Sequence, residues 1–178
     1  MHRHLALPPA AATLALALHL AVAAASPAFA AQAKAFVFGT DWTTGSLSAA
    51  NLATRAQSCD VSSPASDASL RFHDGRLYVV NRFGGDNVQV VNPATYATTL
   101  QFSVGNGSNP HDIAFASATR AYVTRYESAD LWVVNPQTGA HTGTISLAAL
   151  ADADGKPEMD RLMMVGPLLF VSIQRINR

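Results

Sequence analysis

The sequence predicts an all-β fold made of four-stranded antiparallel units that repeat along the chain. Beyond residue 31, short runs rich in Val, Tyr, Trp and Thr alternate with segments rich in Gly, Asn, Pro, Asp and Ser, a pattern typical of strands and the turns between them. Two long segments also resemble each other at a fixed spacing. Helical patterns are missing there, apart from an ambiguous stretch at residues 147–153. These observations favour a repeat protein built from strands.

The repeat is clearest in two segments, residues 76–95 and residues 120–139. Each contains a Tyr-Val strand and then a Val-Val-Asn-Pro strand, which ends in a turn because proline fixes φ and asparagine tolerates turn geometry. Tyr78 and Tyr122 occupy equivalent positions 44 residues apart. Four strands repeating roughly every 40–50 residues are typical of β-propeller blades, whereas a β-sandwich has no reason to repeat at this spacing. We therefore expect about three to four propeller blades in this chain.

Weaker copies of the repeat flank these two segments, one beginning near Phe36 and one near Leu168. The second full unit contains four expected strands, at residues 111–115, 121–125, 131–135 and 141–147. An insertion at residues 152–157 lengthens the last spacing. We expect residues 31–178 to form a partial propeller domain, with units at roughly residues 34–66, 67–108, 109–150 and, incompletely, 151–178.

The repeat resembles the YVTN-type β-propeller repeat. The resemblance rests on residues 105–115, on the Ala-Tyr-Val-Thr strand at 121–124 and on residues 131–139, and it covers most of the chain from Phe36 onward. It implies a secreted or surface-layer type of propeller that closes as a seven-bladed ring. It implies little about chemistry, because this repeat encodes blade packing. Such a ring is longer than this chain, so we expect an N-terminal fragment or, alternatively, several chains that assemble into one ring.

Residues 1–30 have the pattern of a signal peptide. Arg3 lies in a weakly basic start, and residues 14–25 form an apolar stretch that is shorter than the roughly 20 residues needed to span a bilayer. Pro27 and the small-x-small pattern at residues 28–30 follow, as expected near a cleavage site. We therefore expect export to the periplasm or the cell exterior, with no membrane span after cleavage. An uncleaved N-terminal anchor is the alternative.

The charge balance and the cysteine content exclude some classes of function. Lysine and arginine total 12, and aspartate and glutamate also total 12, so no global charge attracts nucleic acid and we expect no nucleic-acid partner. Cys59 is the only cysteine, which excludes an intrachain disulfide. Its sequence neighbours offer no base or positive charge that would activate the thiol, so we expect no catalytic role for it.

The candidate site lies just beyond the Tyr-Val strand of each unit, because these positions fall on the same face of every blade. The residues there are Asp41, Trp42, Arg82, Phe83, Arg125, Tyr126, Gln174 and Arg175. His111 and Asp112 belong to an innermost strand. Arginine offers bidentate contacts and aromatic rings offer stacking, so these residues suit an anionic or aromatic ligand at the channel or its rim. In the structural alternative, each arginine forms a salt bridge with a neighbouring blade and each aromatic ring packs between blades.

We expect no metal and no cofactor. Two adjacent His-Asp pairs, at residues 73–74 and 111–112, could hold a metal only if they converged at the channel. The acidic turn at residues 152–155 only faintly resembles a calcium loop, and we interpret it as a solvated turn. The serine elbow, the phosphate loop and the His-Glu-x-x-His helix are all missing from the sequence.

The expected function is therefore a non-enzymatic, extracytoplasmic scaffold that binds an unknown small molecule or protein at the propeller face. A propeller-type enzyme with its site at the channel mouth is the alternative, either a lactonase-like hydrolase or a quinoprotein-dehydrogenase-like protein. This alternative rests on analogy of fold alone.

Overall fold

The computed structural model describes residues 33–176 of the 178-residue chain. These described residues belong to a single compact unit. The predicted signal peptide at residues 1–30 lies outside the described residues. Within residues 33–176, no helix has the length and the apolar character needed to cross a membrane.

The described part of the chain consists of thirteen strands and one short 3-10 helix, Ala148–Leu150. The strands are β1 Lys34–Thr40, β2 Gly45–Asn51, β3 Gln57–Ser62, β4 Ala68–His73, β5 Arg76–Asn81, β6 Asn87–Val91, β7 Thr98–Ser103, β8 Pro110–Ser117, β9 Arg120–Arg125, β10 Asp130–Val134, β11 His141–Ser146, β12 Met159–Val165 and β13 Leu168–Ile173.

The strands form four antiparallel sheets in which each strand pairs with its neighbours in sequence. The first sheet contains β1–β3, the second β4–β7, the third β8–β11 and the fourth β12 and β13. The predicted fold class, an all-β chain with four-stranded antiparallel blades, is confirmed.

The leading strands of the second, third and fourth sheets are β4, β8 and β12, which we call the inner strands. β8 packs against both β4 and β12. Antiparallel pairing places Ala68, the first residue of β4, opposite Asn81 at the end of β5. It likewise places Pro110 of β8 opposite Arg125 at the end of β9. The starts of the inner strands therefore lie beside the turns that follow the second strands.

The hydrophobic core fills the spaces between adjacent sheets. Along β5 successive side chains point to opposite faces: Leu77 and Val79 pack with Leu47 of the first sheet, while Tyr78 and Val80 pack towards the third sheet. Both faces of β5 are thus buried, which explains why the strand is apolar throughout. Each buried side chain of this size contributes about 1.5–3 kcal/mol. The core between the third and fourth sheets contains Ala114, Leu131, Met159 and Leu162.

The same asparagine turn lies at the ends of β2, β6 and β10, in the first, second and third sheets. The side-chain Oδ1 of Asn51 accepts hydrogen bonds from the amides of Ala53 and Thr54, at 2.9 and 3.0 Å. Asn92 Oδ1 makes the equivalent bonds to the amides two and three residues later, at 2.8 and 3.3 Å. Asn135 Oδ1 accepts from the amide of Gln137 at 2.9 Å. This local hydrogen bonding explains the recurring asparagine in the repeat.

Candidate functional site

Five side chains from three sheets meet where the inner strands begin, and we call them the His111 cluster. They are Arg82, His111, Tyr126, Asp160 and Gln174. His111 lies near the start of β8 and Asp160 near the start of β12, whereas the other three follow β5, β9 and β13. The strand pairing brings these positions together because each second strand ends where an inner strand begins.

The imidazole of His111 is held on its edge and on both faces. Its Nδ1 lies 2.8 Å from Oδ1 of Asp160, and because a carboxylate can only accept, Nδ1 carries the proton and donates it. The Tyr126 ring stacks on the imidazole with centroids 4.2 Å apart and an interplanar angle of 14°. His111 is only 6 % exposed. In its neutral form the ring therefore has an unprotonated Nε2.

Arg82 covers the other face of this ring. Its Nη2 lies 2.9 Å from Nε2 and 3.3 Å from Nδ1 of His111. These similar distances place the guanidinium over the ring face near Nε2, because a donor on the in-plane axis of the Nε2 lone pair would lie much further from Nδ1. Nη1 of Arg82 is 3.4 Å from Oδ1 of Asp67. Among the described residues, the buried Nε of Arg82 has no hydrogen-bond acceptor.

The surroundings favour a neutral His111 beside an ionised Asp160. Burial lowers the pKa of His111, and the nearby charge of Arg82 lowers it further, against the opposing effect of Asp160. Burial alone would raise the pKa of Asp160, yet the hydrogen bond from His111 and the charge of Arg161 hold that pKa below its ordinary value. At neutral pH the imidazole is thus an uncharged ring between a carboxylate and a guanidinium.

Tyr126 joins the third sheet to the fourth. Its ring is buried against His111, and its hydroxyl donates a hydrogen bond to Oε1 of Gln174 at 3.0 Å. This placement matches the structural alternative for Tyr126, a ring packed between blades.

Arg125 makes its contacts away from the His111 cluster. Its Nε donates to the carbonyl of Val104 at 2.9 Å and its Nη1 donates to Oγ of Ser128 at 2.9 Å. The guanidinium also lies over the Trp132 ring, 4.5 Å from the centroid. Because Val104 follows β7, Arg125 joins the second sheet to the third, through a hydrogen bond to a carbonyl and not through the salt bridge that the structural alternative expected.

Asp112 is a buried link between the inner strands. Its carboxylate, 0 % exposed, receives two hydrogen bonds of 2.6 Å from Nε and Nη2 of Arg71 on β4. It also accepts from the amides of Ile113 and Leu162, at 2.8 and 2.9 Å. The carboxylate is thus surrounded by donors from three inner strands and is buried away from any ligand.

Two exposed aromatic side chains lie on adjacent sheets, each two residues after one of the equivalent strands β1 and β5. Trp42 follows β1 and is 80 % exposed, and Phe83 follows β5 and is 74 % exposed. Asp41 Oδ1 accepts hydrogen bonds from the amides of Thr43 and Thr44 at 2.8 and 2.6 Å, which fixes the turn and lowers the pKa of Asp41. We define Trp42, Arg82 and Phe83 as the rim.

Arg175, the last predicted site residue, follows β13 and is exposed, with its backbone at φ 52°. The structure therefore places Arg82 and Tyr126 on opposite faces of His111, whereas Arg125 and Asp112 make their contacts elsewhere.

The two histidines considered for a metal do not converge. His73 ends β4 and stacks on Phe115, with ring centroids 4.1 Å apart. Phe115 lies four residues beyond His111 on β8, which corresponds to about 13 Å along a strand. Elsewhere, carboxylate oxygens of Asp152, Asp154 and Glu158 lie within 4.8 Å of one another. Lys156, in the same turn, pairs with Glu127 at 2.6 Å.

A cleft with a volume of about 390 Å³ lies at the opposite end of the second sheet. Its polar lining includes Asp74 and Arg76 from the β4–β5 turn, and Gln137 from the third sheet. None of the predicted site residues lines this cleft.

The sequence alone did not identify Asp160, Asp67 or Arg71. Asp160 belongs to one of the two weaker copies of the repeat, and the insertion at residues 152–157 obscures the start of its inner strand. Arg71 and Asp67 belong to a segment that aligns with residues 111–115. This alignment makes the two segments inner strands of adjacent blades, and it was the signal that could have indicated contacts between their side chains.

Comparisons with known proteins support the fold. No protein-family model matches the sequence, and no curated protein matches it. Several solved structures are similar, among them two of the β-propeller type, and the support for the fold rests on the first of these two. The dihydro-heme d1 dehydrogenase NirN, in complex with DHE, matches at 11% identity and a TM-score of 0.50, over 78% of this chain and 32% of that one. The glutaminyl cyclase of Myxococcus xanthus matches at 16% identity and a TM-score of 0.42, over 66% and 50%. This chain spans half or less of either protein.

Proposed function

We propose that this chain is an exported binding propeller of the YVTN-type repeat, and that it holds a carboxylate-bearing ligand with an aromatic part at the rim. The observation that carries the proposal is Arg82, whose buried Nε has no acceptor among the described residues and which precedes the exposed Phe83 in the chain. The export step rests on the signal-peptide pattern of residues 1–30. The partner is a small molecule or a protein segment of this chemistry.

Arg82 has capacity for another acceptor. A guanidinium has five N–H donors, and the contacts of Arg82 are a neutral ring on one side and Asp67 at 3.4 Å on the other. A quarter of its side chain is exposed. An unsatisfied buried N–H costs about 1–3 kcal/mol, so a small movement of the side chain towards a ligand carboxylate would recover hydrogen bonds. Arginine and carboxylate match in a bidentate geometry.

The exposed rings of Trp42 and Phe83 supply the aromatic part of the proposed site. Trp42 has φ 69°, in the left-handed region where a bulky side chain is uncommon and which is often occupied at functional sites. Exposed aromatic rings bury large apolar areas when a ligand stacks on them. Their equivalent positions on adjacent blades suit a ligand that extends across the two blades.

The proposal is tested by titrating the full chain with benzoate, phenylacetate and indole-3-acetate, with binding followed by calorimetry. We expect the arylacetates to bind and Arg82→Met to weaken them at least tenfold, because the charge-assisted pair is lost. Arg120→Met is the matched control, since Arg120 is an exposed arginine at the far end of the β8–β9 pair. Equal affinities for the wild type and Arg82→Met, or no binding at all, would contradict the proposal.

A hydrolase is the second candidate, and one observation favours it. The Asp160 carboxylate holds Nδ1–H of His111 at 2.8 Å, which leaves Nε2 as a base, the arrangement used by histidine general bases. A lactonase-like activity predicts turnover of aryl lactones that His111→Gln abolishes. Absence of turnover by the wild type would exclude it for these substrates.

A further inference from the structure

We infer that carboxylate binding at Arg82 is coupled to the uptake of one proton by His111, so that the affinity of the site rises as the pH falls. The inference rests on the proposed function, because it needs an anion beside Arg82. It adds a regulation that the proposed function does not require.

The ionisable groups around the imidazole come from every neighbouring element. They are Asp67 before β4, Arg82 after β5, Tyr126 after β9, and Asp160 with Arg161 on β12. On β8 itself the neighbouring carboxylate of Asp112 is already bound to Arg71. The protonation of His111 therefore depends mainly on two opposing charges, the guanidinium of Arg82 on the ring face and the carboxylate of Asp160 at the ring edge.

Without ligand, the geometry suits a neutral imidazole. A guanidinium over the face of an uncharged ring is an attractive contact, and Nη2 of Arg82 is 2.9 Å from Nε2. A proton on Nε2 would place two cations at this distance. The side chain of His111 is only 7 % exposed, so water screens the repulsion poorly.

A ligand carboxylate reverses this preference. It pairs with Arg82, neutralises the guanidinium and draws it off the ring, after which Nε2 takes a proton from solvent. Asp160 already accepts from Nδ1 at 2.8 Å and stabilises the imidazolium that forms. The ligand stays ionised throughout, and the complex gains one proton and one anion. Because the coupling is reciprocal, an anion that favours protonation binds more tightly when the ring is protonated.

The expected pH dependence of the binding constant follows from the uptake of a single proton. Between the pKa values of His111 in the free and the bound protein, the binding constant changes by at most about tenfold per pH unit. Outside that interval it is flat.

The experiment is calorimetric titration of the full chain with phenylacetate from pH 5 to pH 8, in pairs of buffers that differ in ionisation enthalpy. The buffer dependence counts protons directly. We expect uptake approaching one proton and tighter binding at low pH. His111→Gln keeps a hydrogen-bonding amide but cannot titrate, so its binding should persist with a flat pH profile. His141→Gln is the control, since His141 is an exposed histidine that stacks on Trp132.

The outcomes distinguish the proposed function from the coupling. No binding of phenylacetate at any pH would contradict the proposed function. Binding by the wild type without proton uptake, or with the same pH slope in His111→Gln, sinks only the coupling. If His111→Gln does not fold, the imidazole of the wild type is titrated by NMR with and without phenylacetate. The pKa of His111 should rise on binding, and an unchanged pKa overturns the inference.

Discussion

Arg71 on β4 donates two hydrogen bonds of 2.6 Å to the carboxylate of Asp112 on β8, and this ion pair joins the second sheet to the third. The carboxylate is fully buried, whereas the arginine side chain is 40 % exposed. The hydrogen bonds to Asp112 raise the pKa of Arg71, so this guanidinium stays protonated over the whole accessible pH range.

Arg71→Met should destabilise the protein by about 3 kcal/mol, because it leaves the Asp112 carboxylate buried without its cation. The expected value lies at the low end for buried pairs, since Arg71 is partly solvated. Urea unfolding followed by tryptophan fluorescence measures the change. Arg120→Met is the matched control and should cost under about 0.5 kcal/mol. Adding Asp112→Asn to Arg71→Met should recover part of the loss, and a larger loss in the double variant would contradict the explanation.

Stability should decrease on acidification, starting near pH 6.5. The folded protein holds the pKa of His111 below its ordinary value of 6.5, so between these two values the unfolded chain binds more protons and acid favours unfolding. The lowered pKa of Asp160 extends the loss below its ordinary value of 3.8. The urea midpoints of unfolding, measured from pH 7.5 to pH 5, test the loss of stability attributed to His111. In His111→Gln the urea midpoint should change less with pH over this range. An unchanged slope in the variant would show that other groups cause the loss.

Gly139→Ala should cost about 2 kcal/mol or more, because two penalties combine. Gly139 has φ 75°, and a Cβ there would lie 2.6 Å from Cγ of Phe102, which adds crowding to the left-handed strain. Gly84→Ala is the matched control: Gly84 has the same φ of 75° with nothing within 4 Å. That variant should lose only about 1 kcal/mol. Thermal or urea unfolding gives both values, and equal losses would rule out the steric contribution of Phe102.

Trp42→Gly should raise stability by about 0.5 kcal/mol while weakening arylacetate binding. Glycine relieves the left-handed backbone of Trp42, a gain of about 1–2 kcal/mol that the greater freedom of the unfolded chain partly offsets. Phe83 is equally exposed but is not among the residues with positive φ. Phe83→Gly should therefore lower stability by about 0.5–1 kcal/mol. A loss of stability in Trp42→Gly would show that its turn is not strained.

Much of the blade follows from local chemistry that the sequence displays. The run Leu77, Tyr78, Val79 and Val80 is apolar at every position, which in a short strand indicates burial on both faces, as found between the first and third sheets. The turn asparagines bind amides only two or three residues away. Interactions this local depend on sequence order, so the repeat was visible without coordinates.

The site depended on contacts that no local pattern contains. Arg82 and Arg125 occupy equivalent places in the repeat, yet one lies on His111, 29 residues away, and the other on a carbonyl 21 residues away. Asp160 meets His111 across 49 residues.

The chain by itself determined its strands, its turns and its period, since strand alternation, proline geometry and asparagine turns act over a few residues. The tertiary structure alone decided which charged side chains meet, which are buried and which remain exposed. The reason is that long side chains such as arginine reach several ångströms from equivalent backbone positions, and the side chains that neighbouring blades present there select their partners.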